Sequence, residues 1–520
     1  MRFRRTIALV CILMTGVLVA GYVVGIGTSV ASTPPEVDHP VNRDTSRDAL
    51  SPVLAGVPDR VTAAIAEDRL VSVSMAVVLG RDIIFCQAFG HADLNEQRPA
   101  TPGTIYPMGS ITKAFAATML ARLWERGIVD LEDPVQKYVP EYKPQSPFPG
   151  TLPTTLRQLA THTSGLPRDA PVNYWCDYTA FLWLITGGQT PMTFYVDCDS
   201  LLASLDDIEL VNPPEVYAHY SNLNFQILGL ALERACGRLF TTYVEEEILA
   251  PLGMKDSGFG LGPEERKRLA TGYVCTGPGS EPLVAPEYDL GCAIYSGGLF
   301  TTAEDLARFV SSQWIYDEGA GNPILEAGTL RRMRTPQSIH RLGVHTSYGL
   351  GWGVVRIGAH DAIEHNGALL GYHAHVSAVP GLRLGIVALS NTKNFLWRPD
   401  ACKTLARAIL EDLADALVAD AQENEGFRPA ATDLSAFEGG YALPGGVAHL
   451  EVRASGAGLK VTLMEVQDFS EMFTLIAPNT FCFAADPHQE PMLFFDSSQE
   501  GEIAGVSFLG HSFRRLAAEE

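Results

Sequence analysis

At 520 residues the chain exceeds the size at which one hydrophobic core usually stops growing, so two or more folded units are expected. Its 46% hydrophobic and 19% charged residues are those of a globular protein and leave no room for extended disorder. A formal net charge of −22 excludes a nucleic-acid partner, because phosphate binding needs clustered Lys and Arg to release counterions.

The amino terminus opens on the basic run Met1-Arg2-Phe3-Arg4-Arg5 and continues as an almost charge-free apolar stretch from Thr6 to Ile26. This reads as an export signal, either cleaved near Val30-Ala31-Ser32 or retained as a membrane anchor through residues 6–26. Basic residues ahead of the span place the rest of the chain outside the cytoplasm, anchored and facing the extracytoplasmic side, or periplasmic or secreted after cleavage. Residues 1–32 are thus signal or anchor, and residues 33–50, with Pro34, Pro35 and Pro40, are an extended linker.

Apolar residues at helical spacing predict a helix from Val57 to Leu70, and Val71 to Ala88 reads as paired strands around the Gly80-Arg81-Asp82 turn. Ser110 starts a helix whose stripe of Ile111, Phe115, Met119, Leu120, Leu123 and Trp124 ends at Gly127. From Leu131 to Gly291 helices and loops are expected, with a strong helical pattern over Asn222 to Gly237. A helix over Thr302 to Trp314, strands over Ala362 to Asn391 broken at Pro380-Gly381, and an amphipathic helix over Lys403 to Ala419 follow. Strands from distant parts of residues 51–420 would then join one sheet flanked by helices, a mixed α/β domain. Past residue 426, short alternating runs such as Ala448 to Val452, Leu459 to Leu463 and Ile503 to Leu509 predict a small antiparallel barrel or sandwich over 427–520.

Apart from Cys11 there remain Cys86, Cys176, Cys198, Cys236, Cys275, Cys292, Cys402 and Cys482, an even number in an oxidising compartment. Cys176 with Cys198, and Cys275 with Cys292, are candidate pairs, although spacing does not decide connectivity. No C-x-x-C or zinc spacing occurs, and His373-Ala374-His375 lacks further ligands nearby, so no metal and no cofactor are expected.

Ser110-Ile111-Thr112-Lys113 puts a hydroxyl and an ammonium at i and i+3 on one helix face. A serine hydroxyl needs a base, and a lysine is one only when desolvation or a neighbouring cation lowers its pKa. The spacing alone is weak evidence, since Ser390-Asn391-Thr392-Lys393 matches equally well after a strand-like run. Tyr220-Ser221-Asn222, the sole Y-x-N, stands just before a predicted helix. A tyrosine of depressed pKa there would exchange protons and the asparagine would orient Lys113 and a substrate amide, against the plainer reading that Asn222 caps the helix. His365-Asn366-Gly367 precedes a strand. Its glycine would admit substrate, and the N–H of Ala368 would join that of Ser110 as an oxyanion hole. No Gly-x-Ser-x-Gly elbow and no His-Glu-x-x-His compete.

In order and spacing these motifs resemble the serine β-lactamase, penicillin-binding-protein and D-aminopeptidase superfamily, in its class C-type branch with Y-x-N and H-x-G. Phrases typical of that family recur at Gln158 to Leu166, Leu249 to Met254, Ser296-Gly297-Gly298-Leu299 and Tyr348 to Trp352. The resemblance implies an antiparallel sheet flanked by helices and a lipocalin-like carboxy-terminal unit. It also implies Ser110, Lys113 and Tyr220 as catalytic residues, with Asn222, His365, Gly367 and Ala368 binding substrate. The expected substrate is a small ester, a D-amino-acid peptide such as a cell-wall peptide, or a β-lactam. His365 in place of the lysine of K-T-G favours an esterase or D-peptidase over a true β-lactamase. The alternative is a catalytically inactive penicillin-binding or scaffold protein of the same fold.

Overall fold

A computed structural model describes residues 43–516 except 171–179, 181, 185, 190–196, 206–207, 216–217, 276–279, 288, 315–321, 340–346, 395–400, 425–433, 443–448, 456–457, 465–469, 478–479, 484–492, 498–502 and 509–510. Helix α1 (Arg43–Asp68) starts inside the segment expected as linker and contains Pro52 and Pro58. Each proline removes an N–H from the helical ladder. Leu50, Val57 and Val61 are nevertheless buried in one cluster with Leu410, Leu413 and Leu417 of the long helix Ala401–Asn424, and such packing outweighs propensity.

The principal strands are β1 (Ser72–Leu79), β2 (Asp82–Asp93), β3 (Gly353–Ile357), β4 (His360–Leu369), β5 (Tyr372–Val379) and β6 (Leu384–Ser390). Among the described residues they form a nine-stranded sheet in the order Arg98–Pro99, β2, β1, β6, β5, β4, β3, Ser347–Tyr348, Ser338–Ile339. Every neighbouring pair is antiparallel. The amino-terminal hairpin therefore docks on β6, with Met75 opposite Ala388, and closes the domain from both ends of its sequence.

Alternation along the central strands builds two cores. Val73, Met75, Val77, Ile386 and Ala388 face α1 and Ala401–Asn424. Ala76, Val78, Val387 and Leu389 face the layer containing helices α2 (Thr112–Glu125), α3 (Asn222–Cys236) and α4 (Ala303–Ser311). Every residue of β1, β5 and β6 is buried, as strands covered on both faces must be. Helix α5 (Ala401–Asn424) is tied to the sheet by charge as well: Glu364 of β4, almost buried, meets Lys403 at 3.2 Å and Arg407 at 3.3 Å.

The carboxy-terminal strands β7 (Gly439–Ala442), β8 (His449–Ser455), β9 (Gly458–Leu463), β10 (Ser470–Ala477), β11 (Thr480–Phe483), β12 (Leu493–Ser497), β13 (Ile503–Phe508) and β14 (His511–Arg515) form a closed barrel. Closure through Tyr441 opposite Arg515 removes the free edges that a sandwich would keep.

Two expectations are corrected. The membrane-anchored chain is not what the structure holds: no helix among the described residues is long and apolar enough to cross a membrane. Long helices α1 and α5 carry charges such as Asp59 and Arg60, or Glu411, Asp412 and Asp415, and each would cost about 2.5–3.5 kcal/mol at a bilayer centre. Residues 6–26, on which the anchor rests, lie outside the described residues. The proposed Cys275–Cys292 pairing also fails, because the Cys275 thiol points at the carbonyl of Arg69 while Cys292 is hydrogen-bonded to Cys198. Cys176 lies outside the described residues.

Candidate active site

Ser110 sits in a short 3-10 turn, Gly109–Ile111, that runs directly into α2. Gly109 has φ +55°, and a Cβ there would stand 2.9 Å from the amide nitrogen of Ala368. A Cβ on Gly367 would fall 1.8 Å from the carbonyl oxygen of Met108. The two glycines thus let β4 lie against the nucleophile turn and bring the Ala368 backbone beside it. This differs from the expected role of Gly367 as a passage for substrate: the close approach it permits is that of the protein's own backbone. Thr112 Oγ1 donates to Gly109 O at 2.7 Å and accepts from Leu299 N at 3.1 Å, locking the turn to the Ser296-Gly297-Gly298-Leu299 segment.

Lys113 is completely buried. Its Nζ lies 3.0 Å from Ser110 Oγ, 2.9 Å from Asn222 Oδ1 and 2.9 Å from Ser296 O. Burial, helped by the nearby Arg168 guanidinium and opposed by Asp169, holds its pKa well below the ordinary lysine value. Two of its three neighbours are carbonyl oxygens that only accept, whereas the serine hydroxyl also donates. A neutral amine in this place keeps two N–H groups on Asn222 and Ser296 and turns its lone pair to Ser110.

The Y-x-N segment resolves in detail. Ser221, not Asn222, caps α3, its Oγ accepting from Asn224 N at 3.1 Å. That frees Asn222 for the site, where its Nδ2 donates to Asp169 Oδ1 at 2.9 Å. A carboxylate can only accept, so Asp169 fixes the amide with its oxygen toward Lys113. The Tyr220 hydroxyl is hydrogen-bonded to Ser110, and burial pushes its pKa up to about 12. The expected depressed pKa is therefore corrected: Tyr220 stands as a protonated phenol, suited to relay a proton rather than to begin as a phenolate. His162, in the left-handed region at φ +60°, accepts from Ser221 N through Nδ1 at 3.1 Å and packs its ring 4.4 Å from that of Tyr220.

His365 is almost wholly buried, 6.4 Å ring to ring from Tyr220. Burial and the neighbouring Lys113 lower its pKa to about 3, so the ring is neutral over the working range. Its Nδ1 faces the carbonyl oxygen of Asn366 at 2.8 Å and carries the proton, which leaves Nε2 as a bare acceptor without a hydrogen-bond partner among the described residues. A neutral acceptor offers no charge to a substrate carboxylate. His373 and His375 alternate away from the site: Ala374 and Val376 belong to the core on the catalytic side, and His375 bonds Asn366 Oδ1 and Ser377 Oγ on the other. No group of three metal-binding side chains occurs among the described residues.

Sequence reading found Ser110, Lys113, Tyr220, Asn222, His365, Gly367 and Ala368, and the structure gathers all of them. Asp169, Arg168 and the carbonyl of Ser296 were missed. Asp169 and Arg168 follow Gln158 to Leu166 at once, so position was the one available signal. The second match is elsewhere, Ser390 ending a buried strand. Its Asn391 clasps backbone, accepting from Ser72 Oγ at 2.7 Å and donating to the carbonyls of His91, Ala92 and Thr271.

Residues 57–411 match the sequence profile of the family described as Beta-lactamase. The chain is 30% identical over 467 residues to a human protein named for its likeness to β-lactamase, with 86% of this chain and 84% of the human one covered. It is 29% identical over 300 residues to the D-alanyl-D-alanine-carboxypeptidase/endopeptidase AmpH of Escherichia coli K12, covering 56% and 71% of the two chains. The octameric penicillin-binding protein homologue of Pyrococcus abyssi superposes with a TM-score of 0.59 at 22% identity, over 88% of this chain and 99% of that one, a likeness of fold. A family profile over residues 57–411, which carry the whole nine-stranded sheet and the site residues, together with the human relative, establishes that the chain belongs to the β-lactamase family.

Proposed function

We propose that this protein is a hydrolase that cleaves esters or D-amino-acid amides through an acyl-enzyme on Ser110. The observation that carries the reading is the set of contacts at Lys113 Nζ, held on two sides by Asn222 Oδ1 and Ser296 O and facing Ser110 Oγ on the third. Ser110 Oγ attacks the carbonyl carbon as its proton passes to Lys113 Nζ. The oxyanion is held by the N–H groups of Ser110 and Ala368. The proton returns through the Tyr220 phenol to the departing alcohol or amine, and water then enters by the same relay and releases the acid. His365 in place of a cationic lysine favours esters and peptides over β-lactams, and the D-peptidase named among the relatives agrees with that choice.

Labelling with a fluorophosphonate, beside a panel of p-nitrophenyl acyl esters, D-alanyl peptides and nitrocefin, tests this reading. Wild type is expected to label and to turn over an ester or peptide. Ser110→Ala should lose label and on the order of 10⁴-fold or more of kcat. Equal labelling of the variant would sink the assignment.

A further inference from the structure

Two cysteines lie next to the segment that supplies the Ser296 carbonyl, and no step of the acyl transfer uses them. Cys198 opens the helix Cys198–Ala203, which Asp197 caps by accepting from Ser200 N and Ser200 Oγ, each at 2.9 Å. Cys292 is wholly buried in the turn Gly291–Ala293, and the helix packs on that turn. The two thiols are hydrogen-bonded to each other. Cys236 and Cys275 instead point theirs at backbone carbonyls, those of Glu233 and Arg69 among them, and Cys402 is buried in the core on the other face of the sheet.

The turn runs straight into the helix Ile294–Gly297, whose Ser296 carbonyl accepts from Lys113 Nζ at 2.9 Å. Ser296 Oγ donates back to the carbonyl of Ala293 at 3.1 Å, which ties the acceptor to the turn. Tyr295 donates to Glu233 of α3, and a Cβ on Gly229 of the same helix would fall 2.4 Å from the Tyr295 ring. A bond at Cys292 therefore acts about one helical turn from the oxygen that holds the base. The hydrogen bond from Cys292 lowers the pKa of Cys198, against burial and the carboxylates of Asp197, Glu233 and Asp199. The same bond and burial raise that of Cys292, so the inner thiol keeps its proton until the outer one has reacted.

We propose that Cys198 and Cys292 are a redox pair, which an external disulfide of the glutathione class converts into a cross-link fastening the Ser296 segment beside Lys113. Cys198 as thiolate attacks the external disulfide, giving a mixed disulfide and one free thiolate, which takes the Cys292 proton. The Cys292 sulfur then displaces the second external thiolate from Cys198 Sγ. Two electrons pass to the reagent, and the two protons given up by the protein thiols end on the two external thiols released. The cross-link forms without turnover and is read by mass, melting and amide exchange, so it stands or falls apart from the acyl-transfer reading.

The full-length protein is equilibrated with oxidised or with reduced glutathione, denatured, alkylated with iodoacetamide and digested. Oxidised protein is expected to give a Cys198 peptide joined to a Cys292 peptide with the loss of two hydrogens. It should also melt on the order of 5 °C above the reduced protein. Amides of residues 291–299 should exchange more slowly in the oxidised form. Cys198→Ser and Cys292→Ala, made separately, should each abolish the joined peptide and the redox dependence of melting and exchange. Cys198→Ser, at the more exposed of the two positions, decides the matter alone if the buried Cys292→Ala unfolds. Alkylation of both cysteines in the oxidised protein, Cys198 joined to Cys176, or melting and exchange alike in the two redox forms overturns the pair. So does a redox-dependent exchange of residues 291–299 that survives Cys198→Ser.

Discussion

Lys113 stands where an ammonium is costly, wholly out of water and near the guanidinium of Arg168, and each factor favours the neutral amine. The proposed base must be deprotonated, so kcat/KM should rise with pH through the lowered pKa of Lys113, below the ordinary lysine range of about 10.4. At the alkaline end it should fall as the Tyr220 phenol ionises near about 12. The carboxylate of Asp169 works against Arg168, favouring the charged lysine. Asp169→Asn is thus expected to move the acid limb to lower pH. It should also lower kcat, because an amide in that place no longer dictates which end of Asn222 faces Lys113. A pH–rate profile of the variant checks both, and an acid limb displaced to higher pH would contradict the electrostatic assignment.

At the scale of elements, the site is a seam between the turn at Gly109–Ile111 and strand β4, and two glycines make the seam possible. Gly367→Ala would drive a methyl group into the Met108 carbonyl, leaving β4 and the turn to separate. Overpacking of this kind costs about 1–3 kcal/mol. The expected result is a lower denaturation midpoint, with a loss of kcat larger than the stability change explains, since the Ala368 amide moves with the strand. Unfolding curves and kinetics on the same preparation decide it; a variant with wild-type kcat would show that the seam does not position the oxyanion hole. The same scale explains why two equal Ser-x-x-Lys matches differ. Ser110 opens a helix whose next turn carries Lys113 back beside it, whereas Ser390 ends a strand and its following Asn391 is consumed in backbone hydrogen bonds.

In the whole molecule, the residues gathered around Ser110 come from α2, α3 and the Tyr220 segment before it, β4, the 162–169 loop and the Ser296 segment, and among the described residues none comes from the barrel of β7 to β14. A chain ending at Asn424 is therefore expected to keep fluorophosphonate labelling of Ser110, and a folded truncation that fails to label would assign the barrel a part in the site. Sequence by itself determined the fold class and the antiparallel barrel-or-sandwich at the end, because these depend on local periodicity, and its short motifs pointed to side chains that the structure brings together around Ser110. It did not yield α1 as far back as Arg43, where burial against α5 overrides two prolines. Nor did it yield the partnership of Cys198 with Cys292. Only the tertiary structure decided what surrounds the motifs: that Asp169 orients Asn222, that Ser296 offers its carbonyl to Lys113, that Tyr220 keeps its proton and that His365 is neutral. Those properties are set by burial and by neighbours remote in sequence, and a pKa or an amide orientation has no local code to read.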